Sequence, residues 1–315
     1  MSAVSAQTLP LEGEELDVGL SPVAPFVMID GEFTDLAGID VDIIRELQKR
    51  TGFELKHNRF HIMGFAELLD LAAQGKMDIS AAAISLNERR ANIFLQSPAS
   101  FRSHAVVVVP ADSTVSNYKD LIGKNVAAET GTDATDIVSP EIANQININH
   151  ENTAFMTFYS VASRKSDALI TEAPMAMEAA EDWGKGKLKI AYHIEGSEND
   201  MGLMFKKGTR TSQILYQTFE QMREDGTIEQ IVHKYLPDYV FPDDLKPGAI
   251  TLAKQKAKEQ DMSSNINTVA QVVLPNNAQP NPWSIAISPI ANKPCRDLKH
   301  LTGLYCVRLT NALPA

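Results

Sequence analysis

The sequence predicts an α/β fold of two lobes with a poorly structured C-terminal tail, and three observations carry this prediction. The chain has 315 residues, enough for about two domains of roughly 150 residues each. Between Leu16 and about Tyr235, short apolar runs alternate with stretches of helical periodicity, which is typical of βα units with largely parallel strands. After Asp238 the sequence becomes rich in Asn, Pro and Ser, as linkers are.

The first part of the chain contains two βα units. Apolar residues at three- and four-residue spacing predict a helix from Ile39 to Leu47, and Gly52 suits the left-handed cap that ends such a helix. A second helix is predicted from Phe65 to Gly75, followed by a buried strand from Met77 to Ala83. The apolar run from His104 to Val109 predicts a further strand.

A second series of elements starts near Leu121. It comprises a strand from Asn125 to Glu129, a turn at Gly131, a helix from about Asp133, a helix from Phe155 to Ser163, a strand from Asp167 to Thr171, a helix from Pro174 to Asp182 and a strand from Leu188 to Ala191. A strand from Met201 to Phe205, a helix through Ile214 to Met222 and a short helix after Gly226 follow, and we expect these to return to the first lobe.

These patterns divide the chain into a first lobe of residues 11–108 and 198–238, a second lobe of residues 109–197, and a C-terminal extension of residues 239–315. The first boundary is placed here because Pro110 and the polar segment after it interrupt the pattern. We expect the extension to be a linker or disordered. It contains Cys295 and Cys306, so no disulfide framework or CxxC metal site is available to the lobes.

Composition argues against several classes of partner. With 29 Lys+Arg against 40 Asp+Glu, the net charge of −11 leaves no broad basic surface for nucleic acid. No run reaches the ~18 to 20 apolar residues that a membrane-spanning helix needs. The first residues lack the basic and apolar regions of a secretory signal, although Val4-Ser5-Ala6 has the small-residue character of a cleavage site.

The sequence offers few candidates for catalysis or metal binding. The motifs HExxH, GxSxG, GxxxxGK[ST] and GxGxxG are absent. His57 and His61 are four residues apart, but they fall in a predicted strand and loop and not on one helix face, so they do not indicate a metal site. We therefore predict a protein that is not an enzyme and uses no metal or cofactor.

Three features suit the recognition of a small zwitterion. An arginine follows a strand, a Gly-Thr turn opens a helix, and a carboxylate ends a strand. Arginine side chains and the amides at a helix start bind carboxylates, whereas a carboxylate binds an ammonium group. Each feature alone is common in proteins.

An ordered series of motifs extends over about residues 11 to 237. It comprises Gly38–Ile44, Gly75–Ile79, Ile84–Arg89, Leu121–Val126, Thr130–Thr132, Asp167–Glu172 and Asp225–Ile228. In this order, the motifs resemble those of the periplasmic solute-binding proteins of polar amino-acid ABC transporters, the bacterial extracellular solute-binding proteins of family 3. The ordered set is far more specific than any single motif.

The resemblance implies a two-lobe periplasmic-binding-protein-like fold with a two-strand hinge that closes on its ligand. The implied function is to bind a small amino acid, or an amino-acid-like zwitterion, and to deliver it to the membrane permease of an ABC transporter. The resemblance also implies a monomer located in the periplasm or outside the cell. Which amino acid binds stays open, because a few side-chain contacts set specificity.

The resemblance assigns the ligand carboxylate to a defined set of groups. Arg89 would clamp it, helped by the Ser85 hydroxyl and by the amides of the turn that contains Thr130, Thr132 and Asp133.

Other residues would hold the rest of the ligand. Glu172 and the Ala83 carbonyl would accept the ammonium group, and Phe65 would form the wall against which the ligand packs. Arg90 stays an alternative to Arg89, because the segment before the Glu-Arg pair is one residue shorter here than in the family.

Two other functions stay open on the same scaffold. One is a cyclohexadienyl or arogenate dehydratase-like enzyme, which needs an acid to protonate a leaving hydroxyl. Beyond Glu172, Asp133 is the candidate for a second carboxylate in the pocket. The other is a ligand-sensing domain, for which the segment after Asp238 shows no signalling module or anchor.

Overall fold

The computed structural model describes residues 8–29, 35–132 and 143–272, with side chains described up to residue 260. The described residues up to Lys254 form one compact unit that contains two main sheets, and the described chain from Gln255 onward is helical.

The strands are short and alternate with helices. The strands are β1 (Glu15–Leu16), β2 (Val18–Leu20), β3 (Met28–Ile29), β4 (Leu36–Ala37), β5 (Glu54–Leu55), β6 (His61–Ile62), β7 (Ile79–Ser85), β8 (Leu95–Gln96), β9 (Phe101–Ser103), β10 (Ala105–Pro110), β11 (Asn125–Glu129), β12 (Asn147–Glu151), β13 (Ala168–Glu172), β14 (Leu188–His193) and β15 (Asn199–Phe205). The described helices are α1 (Ile39–Thr51), α2 (Phe65–Ala73), α3 (Glu88–Ala91), α4 (Ala154–Ala162), α5 (Ala173–Glu181), α6 (Arg210–Glu224), α7 (Thr227–Tyr235) and α8 (Ala249–Val272).

The first sheet has the strand order β6-β2-β7-β15-β8, and β9 also pairs with β15. Strand β2 is parallel to β6 and β7, whereas β15 is antiparallel to β7, β8 and β9. Helix α1 begins directly after Gly38, whose φ of +121° and close approach to the Phe26 carbonyl leave no room for a side chain. The helix ends at Gly52 in the left-handed conformation that its sequence predicts.

The second sheet has the order β12-β11-β13-β10-β14. Strand β11 is parallel to β12 and β13, and β10 is antiparallel to β13 and β14. Along β10, Val107 and Val109 pack into one apolar cluster, while Val106 and Val108 pack into another. The sheet is therefore buried on both faces, which explains why β10 is apolar at every position.

The position of β10 corrects one part of the sequence prediction. Residues 105–108 were placed in the first lobe, but they pair with β13 in the second sheet. A fully apolar strand suits the centre of either sheet, so its composition did not decide between them. The chain crosses between the sheets at His104 and returns between His193 and Asn199, which gives the two-strand hinge. His104 Nε2 lies 2.6 Å from His193 Nδ1 beside these crossings.

The other predicted helices and strands are confirmed to within a few residues where the structure describes them. The helix predicted from about Asp133 lies outside the described residues. Ordered structure continues past residue 238, because Phe241 and Leu245 are buried in the core of the first sheet and α8 follows. Cys295 and Cys306 lie outside the described residues. Within the described ranges, no helix is both long and apolar enough to cross a membrane.

Candidate ligand-binding site

A cavity of about 370 Å³ is lined by residues of both sheets. Several polar groups that line it stand at or just after the carboxyl ends of strands with parallel partners: Ser21 follows β2, Ser85 ends β7, Glu129 ends β11 and Glu172 ends β13. Ligands of open α/β sheets bind at this edge, where the connections leave a crevice. The volume lies near the lower end of the roughly 300 to 1,000 Å³ that small-molecule sites occupy.

Arg90 is a buried cation at this cavity, and both its backbone and its side chain make contacts there. Its backbone N–H donates to Asn87 Oδ1 at 2.9 Å at the start of α3, and its Nη1 donates to the Ser85 carbonyl at 2.9 Å. The guanidinium carbon lies 5.8 Å from the centre of the Phe65 ring, and the residue is 4% exposed. Burial and the neighbouring charge of Arg89 lower the pKa of Arg90 to about 10, so it stays cationic at neutral pH.

Arg89 is exposed and does not line the cavity. Successive residues of a helix point about 100° apart, so only one of two neighbouring arginines faces a given site. Of the two candidates for the carboxylate clamp, Arg90, the alternative that the shortened motif left open, therefore lines the cavity, whereas Arg89 does not.

Glu172 presents a carboxylate to the cavity from the end of β13. Its Oε2 is buried and has no hydrogen-bond partner among the described residues, while its Oε1 lies 3.4 Å from Asn199 Nδ2. Asn199 Nδ2 also donates to Ser85 Oγ at 2.7 Å within the first sheet, so the contact between Asn199 and Glu172 links the two sheets. Burial raises the pKa of Glu172, and hydrogen bonds from Ser103 and Asn199 oppose this shift.

Glu129 is a site residue that the sequence did not predict. It ends β11, its Oε1 is buried, and within the described ranges that atom has no hydrogen-bond partner. Burial raises the pKa of Glu129 to about 7, although the Ala154 N–H favours the charged form. The sequence feature that could have pointed to Glu129 was its place as the last residue of a predicted strand, directly before the Gly-Thr turn.

The turn after β11 is only partly at the site. Thr132 lines the cavity, but Thr130 does not, and Asp133 lies outside the described residues. The Thr130 N–H donates to the Glu151 carbonyl at 2.9 Å, and the Thr132 N–H donates to the Glu129 carbonyl at 3.2 Å. Both amides are therefore used within the second lobe, which does not support their predicted role at the ligand carboxylate.

The other predicted residues lie at the cavity. Phe65, at the start of α2, is buried there, and Ala83 and Ser85 line it from β7. Ala83 has a φ of 51°, a region that glycine favours, and its N–H donates to Asp40 Oδ2 at 2.8 Å. Asp40 is fully buried in the first turn of α1 and holds this wall from behind.

The described residues contain no cluster of three or more His, Cys, Asp or Glu side chains arranged to hold a metal ion. His61 Nε2 lies 3.1 Å from Asp17 Oδ1.

The sequence matches a known family over most of the first and second lobes. The model for bacterial extracellular solute-binding proteins, family 3, matches residues 16–238. The chain belongs to this family.

Relatives of this family 3 protein include named binding proteins. The L-cystine-binding protein TcyK of Bacillus subtilis is 26% identical over 234 residues, which cover 71% of this chain and 84% of that protein. PatH of Vibrio harveyi, named as a putative amino-acid ABC transporter-binding protein, is 24% identical over 237 residues, or 74% of this chain and 92% of its own.

Solved structures share the fold of this family 3 protein. An ancestral arginine-binding protein bound to arginine has a TM-score of 0.64 and 23% identity, and the match covers 71% of this chain and 99% of that one. ArtJ of Geobacillus stearothermophilus, an arginine-, lysine- and histidine-binding protein, has a TM-score of 0.64 and 21% identity, and the match covers 74% of this chain and 99% of ArtJ.

The two lobes of this solute-binding protein touch beside the cavity. A Cβ on Gly131 would lie 3.2 Å from Ala66 Cα and 3.3 Å from Ala66 Cβ, and a Cβ on Gly64 would lie 3.4 Å from the Asn152 carbonyl. Ala154, at the start of α4, packs in the apolar cluster of the first lobe. The cleft is therefore closed in this structure.

We expect Asp40→Asn to reduce the pH dependence of stability. Burial raises the pKa of Asp40 from its ordinary 3.8 to about 7 in the folded protein. The folded state therefore holds the proton more tightly than the unfolded state. The resulting contribution to stability is complete below about pH 4 and is lost as the pH rises towards 7. One such group changes the free energy of unfolding by up to about 1.4 kcal/mol per pH unit.

Urea unfolding of the full chain at pH 5, 6 and 7 tests this expectation. The Asn side chain still accepts the Ala83 N–H, so the variant should fold and lose about 1 kcal/mol less stability per pH unit than the wild type does. Equal slopes in the two proteins would show that Asp40 does not titrate in this range.

Proposed function

We propose that this protein binds a small amino acid between its lobes and delivers it to the membrane permease of an ABC transporter. One observation carries the proposal: Arg90, buried on α3 of the first lobe, and Glu172, at the end of β13 in the second sheet, line one cavity, and Glu172 Oε2 is buried with no partner among the described residues. Buried charges are tolerated when they are paired and hydrogen-bonded. An amino acid supplies a carboxylate for Arg90 and an ammonium group for Glu172.

The surrounding groups fit this assignment. The Asn199 amide contacts both the Ser85 hydroxyl and Glu172, and these groups would orient the head group of the ligand. Phe65 would pack against the ligand, and the Ala83 carbonyl would accept from the ammonium group, as the sequence predicts. Contact between the lobes excludes water from these pairs and so strengthens them.

The relatives support the class of ligand and partner. TcyK is named for L-cystine and PatH for an amino-acid ABC transporter, and the family itself is described as extracellular. By this similarity, the chain would act outside the cytoplasmic membrane as a monomer and present its closed, loaded form to a permease.

Ligand-induced thermal stabilisation of the full chain tests the proposal. The ligand panel consists of the twenty amino acids with ornithine, citrulline and opines. A ligand at a hundred times its dissociation constant adds about 2.7 kcal/mol, which raises the unfolding midpoint by several degrees in a protein of this size. We expect at least one amino acid to do so. An unfolding midpoint that no ligand of the panel raises would reject amino-acid binding.

The dehydratase alternative has one observation in its favour. Glu129 and Glu172 are two pocket carboxylates with raised pKa values, and such groups are suited to protonate a leaving hydroxyl. Incubation with prephenate or arogenate, followed by assay for the aromatic product, separates the two functions. We expect no product, because a binding protein releases its ligand unchanged. Turnover that Glu129→Gln abolishes would instead establish an enzyme.

A further inference from the structure

Glu129 is a partly buried residue with one buried carboxylate oxygen, and an amino-acid head group offers no partner for it. Its Oε1 is shielded from solvent and makes no hydrogen bond within the described part of the chain, and the residue lines the same cavity as Arg90 and Glu172. A head group has one carboxylate and one ammonium group, which match Arg90 and Glu172. The Glu129 carboxylate is left over, and a buried carboxylate is unfavourable until a proton or a cation neutralises it.

Glu129 stands at the same end of the second sheet as Glu172, the proposed partner of the ligand ammonium group. Strands β11 and β13 are parallel neighbours, with Ala127 opposite Leu169, and Glu129 and Glu172 are the last residues of these strands. Neighbouring strands lie about 4.8 Å apart. That register places Glu129 opposite Thr171, one residue before Glu172, and all three residues line the same cavity of about 370 Å³. A ligand held at Glu172 can therefore extend its side chain to Glu129.

The described lining of the cavity has more acidic than basic side chains. Among its described lining residues Arg90 is the one lysine or arginine, whereas Glu129, Glu172 and the exposed Glu198 are acidic. A zwitterionic head group adds no net charge, so it does not correct this imbalance. Apolar lining, including Met175 of α5, suits a ligand with an aliphatic stem.

We propose that Glu129 determines specificity by binding a second positive charge, so that the preferred ligands are amino acids with an ammonium or guanidinium group on the side chain. This inference rests on the proposed function, whose head-group contacts it assumes. Cationic ligands would pair with Glu129, whereas neutral ligands would leave it protonated or unpaired, and this difference is the source of discrimination.

Such binding would be coupled to proton release. The pKa of Glu129 is about 7 without ligand, so about half of the molecules hold this proton at pH 7. A cation beside the carboxylate lowers its pKa and expels the proton. A cationic ligand should therefore release up to about half a proton more than its neutral isostere.

Isothermal titration of the full chain with L-arginine and L-citrulline provides the test. The two ligands have nearly the same shape, but citrulline carries a neutral urea in place of the guanidinium. Titration at pH 7 in two buffers of different ionisation enthalpy gives the protons released. L-Lysine and L-norleucine form a second pair, for an ammonium group.

We expect the wild type to bind the cationic member of at least one pair at least about tenfold more tightly, with additional proton release. Glu129→Gln should reduce this ratio by about tenfold and remove the additional release. Glu178→Gln is the matched control, because it makes the same charge change at an exposed position of α5 away from the cavity, and it should preserve both.

Equal affinities for cationic and neutral partners, or a ratio that survives in Glu129→Gln, would overturn this inference but leave amino-acid binding intact. A wild type that binds no amino acid would instead reject the proposed function itself. If Glu129→Gln does not fold, the proton release of the wild type alone tests the inference. Equal proton release with the cationic and the neutral ligand would contradict the role of Glu129.

Discussion

Arg90→Ala weakens amino-acid binding by at least about 30-fold, because removal of one partner of a buried, hydrogen-bonded charge pair costs about 2 kcal/mol or more. The ligand carboxylate is then enclosed without a cation in a closed cleft. Arg89→Ala is the matched control: it removes the same side chain one position earlier, at an exposed site that does not line the cavity. Its effect on affinity should stay within about twofold, as for most surface substitutions.

Titration calorimetry with any ligand that stabilises the wild type measures both variants. Arg90 also supports the Ser85 carbonyl and the Phe65 ring, so the unliganded variant must be shown to fold, by its thermal unfolding. Arg90→Lys is a second test that keeps the charge. An ammonium group cannot form the two parallel hydrogen bonds of a guanidinium, so its affinity should be intermediate. A large loss in Arg89→Ala with none in Arg90→Ala would restore the assignment made from the sequence.

Gly131→Val lowers ligand affinity by at least about tenfold because it keeps the lobes apart. Even a Cβ at this position lies 3.2 Å from the Ala66 backbone across the cleft, and valine adds two methyl groups. The buried charge pairs need closure to exclude water, so an open cleft weakens each of them. Backbone strain at the φ of +92° also costs about 1 to 2 kcal/mol of stability.

Gly123→Val separates closure from strain. Gly123 lies in the same lobe with a φ of +75°, but no atom lies within 4 Å of a Cβ built there. Both variants should therefore lose similar stability in urea unfolding, whereas only Gly131→Val should lose affinity in a ligand titration. Equal affinity losses would mean that backbone strain, and not contact between the lobes, is responsible.

Local signals made most of the fold predictable. The spacing of apolar residues in α1 and the glycine that follows it predict where this helix begins and ends. Strand β7 is recognisable as an apolar run before a polar segment. The sheet that contains β10 was not predictable, because its valines satisfy the centre of either sheet and only long-range pairing decides. Phe241 and Leu245 were missed for a related reason, since isolated apolar residues in a polar segment have no periodicity.

Site residues that belong to a sequence motif were predictable, whereas those whose role depends on neighbours in space were not. Phe65, Ala83, Ser85 and Glu172 stand at the cavity as expected. The motif favours Arg89, whereas Arg90 lines the cavity, because α3 is one helical turn, too short for a pattern to show which side chain faces inward. Glu129 was missed because its importance depends on the strand beside it, which the order of residues along the chain does not reveal.

The placement of the charged residues at strand ends has a consequence for how this protein can diverge. Glu129 and Glu172 close their strands, so their side chains can change while the strand pairing behind them is kept. Single substitutions at these positions can then change which ligand binds without changing the fold, because function resides in sites carried by folds.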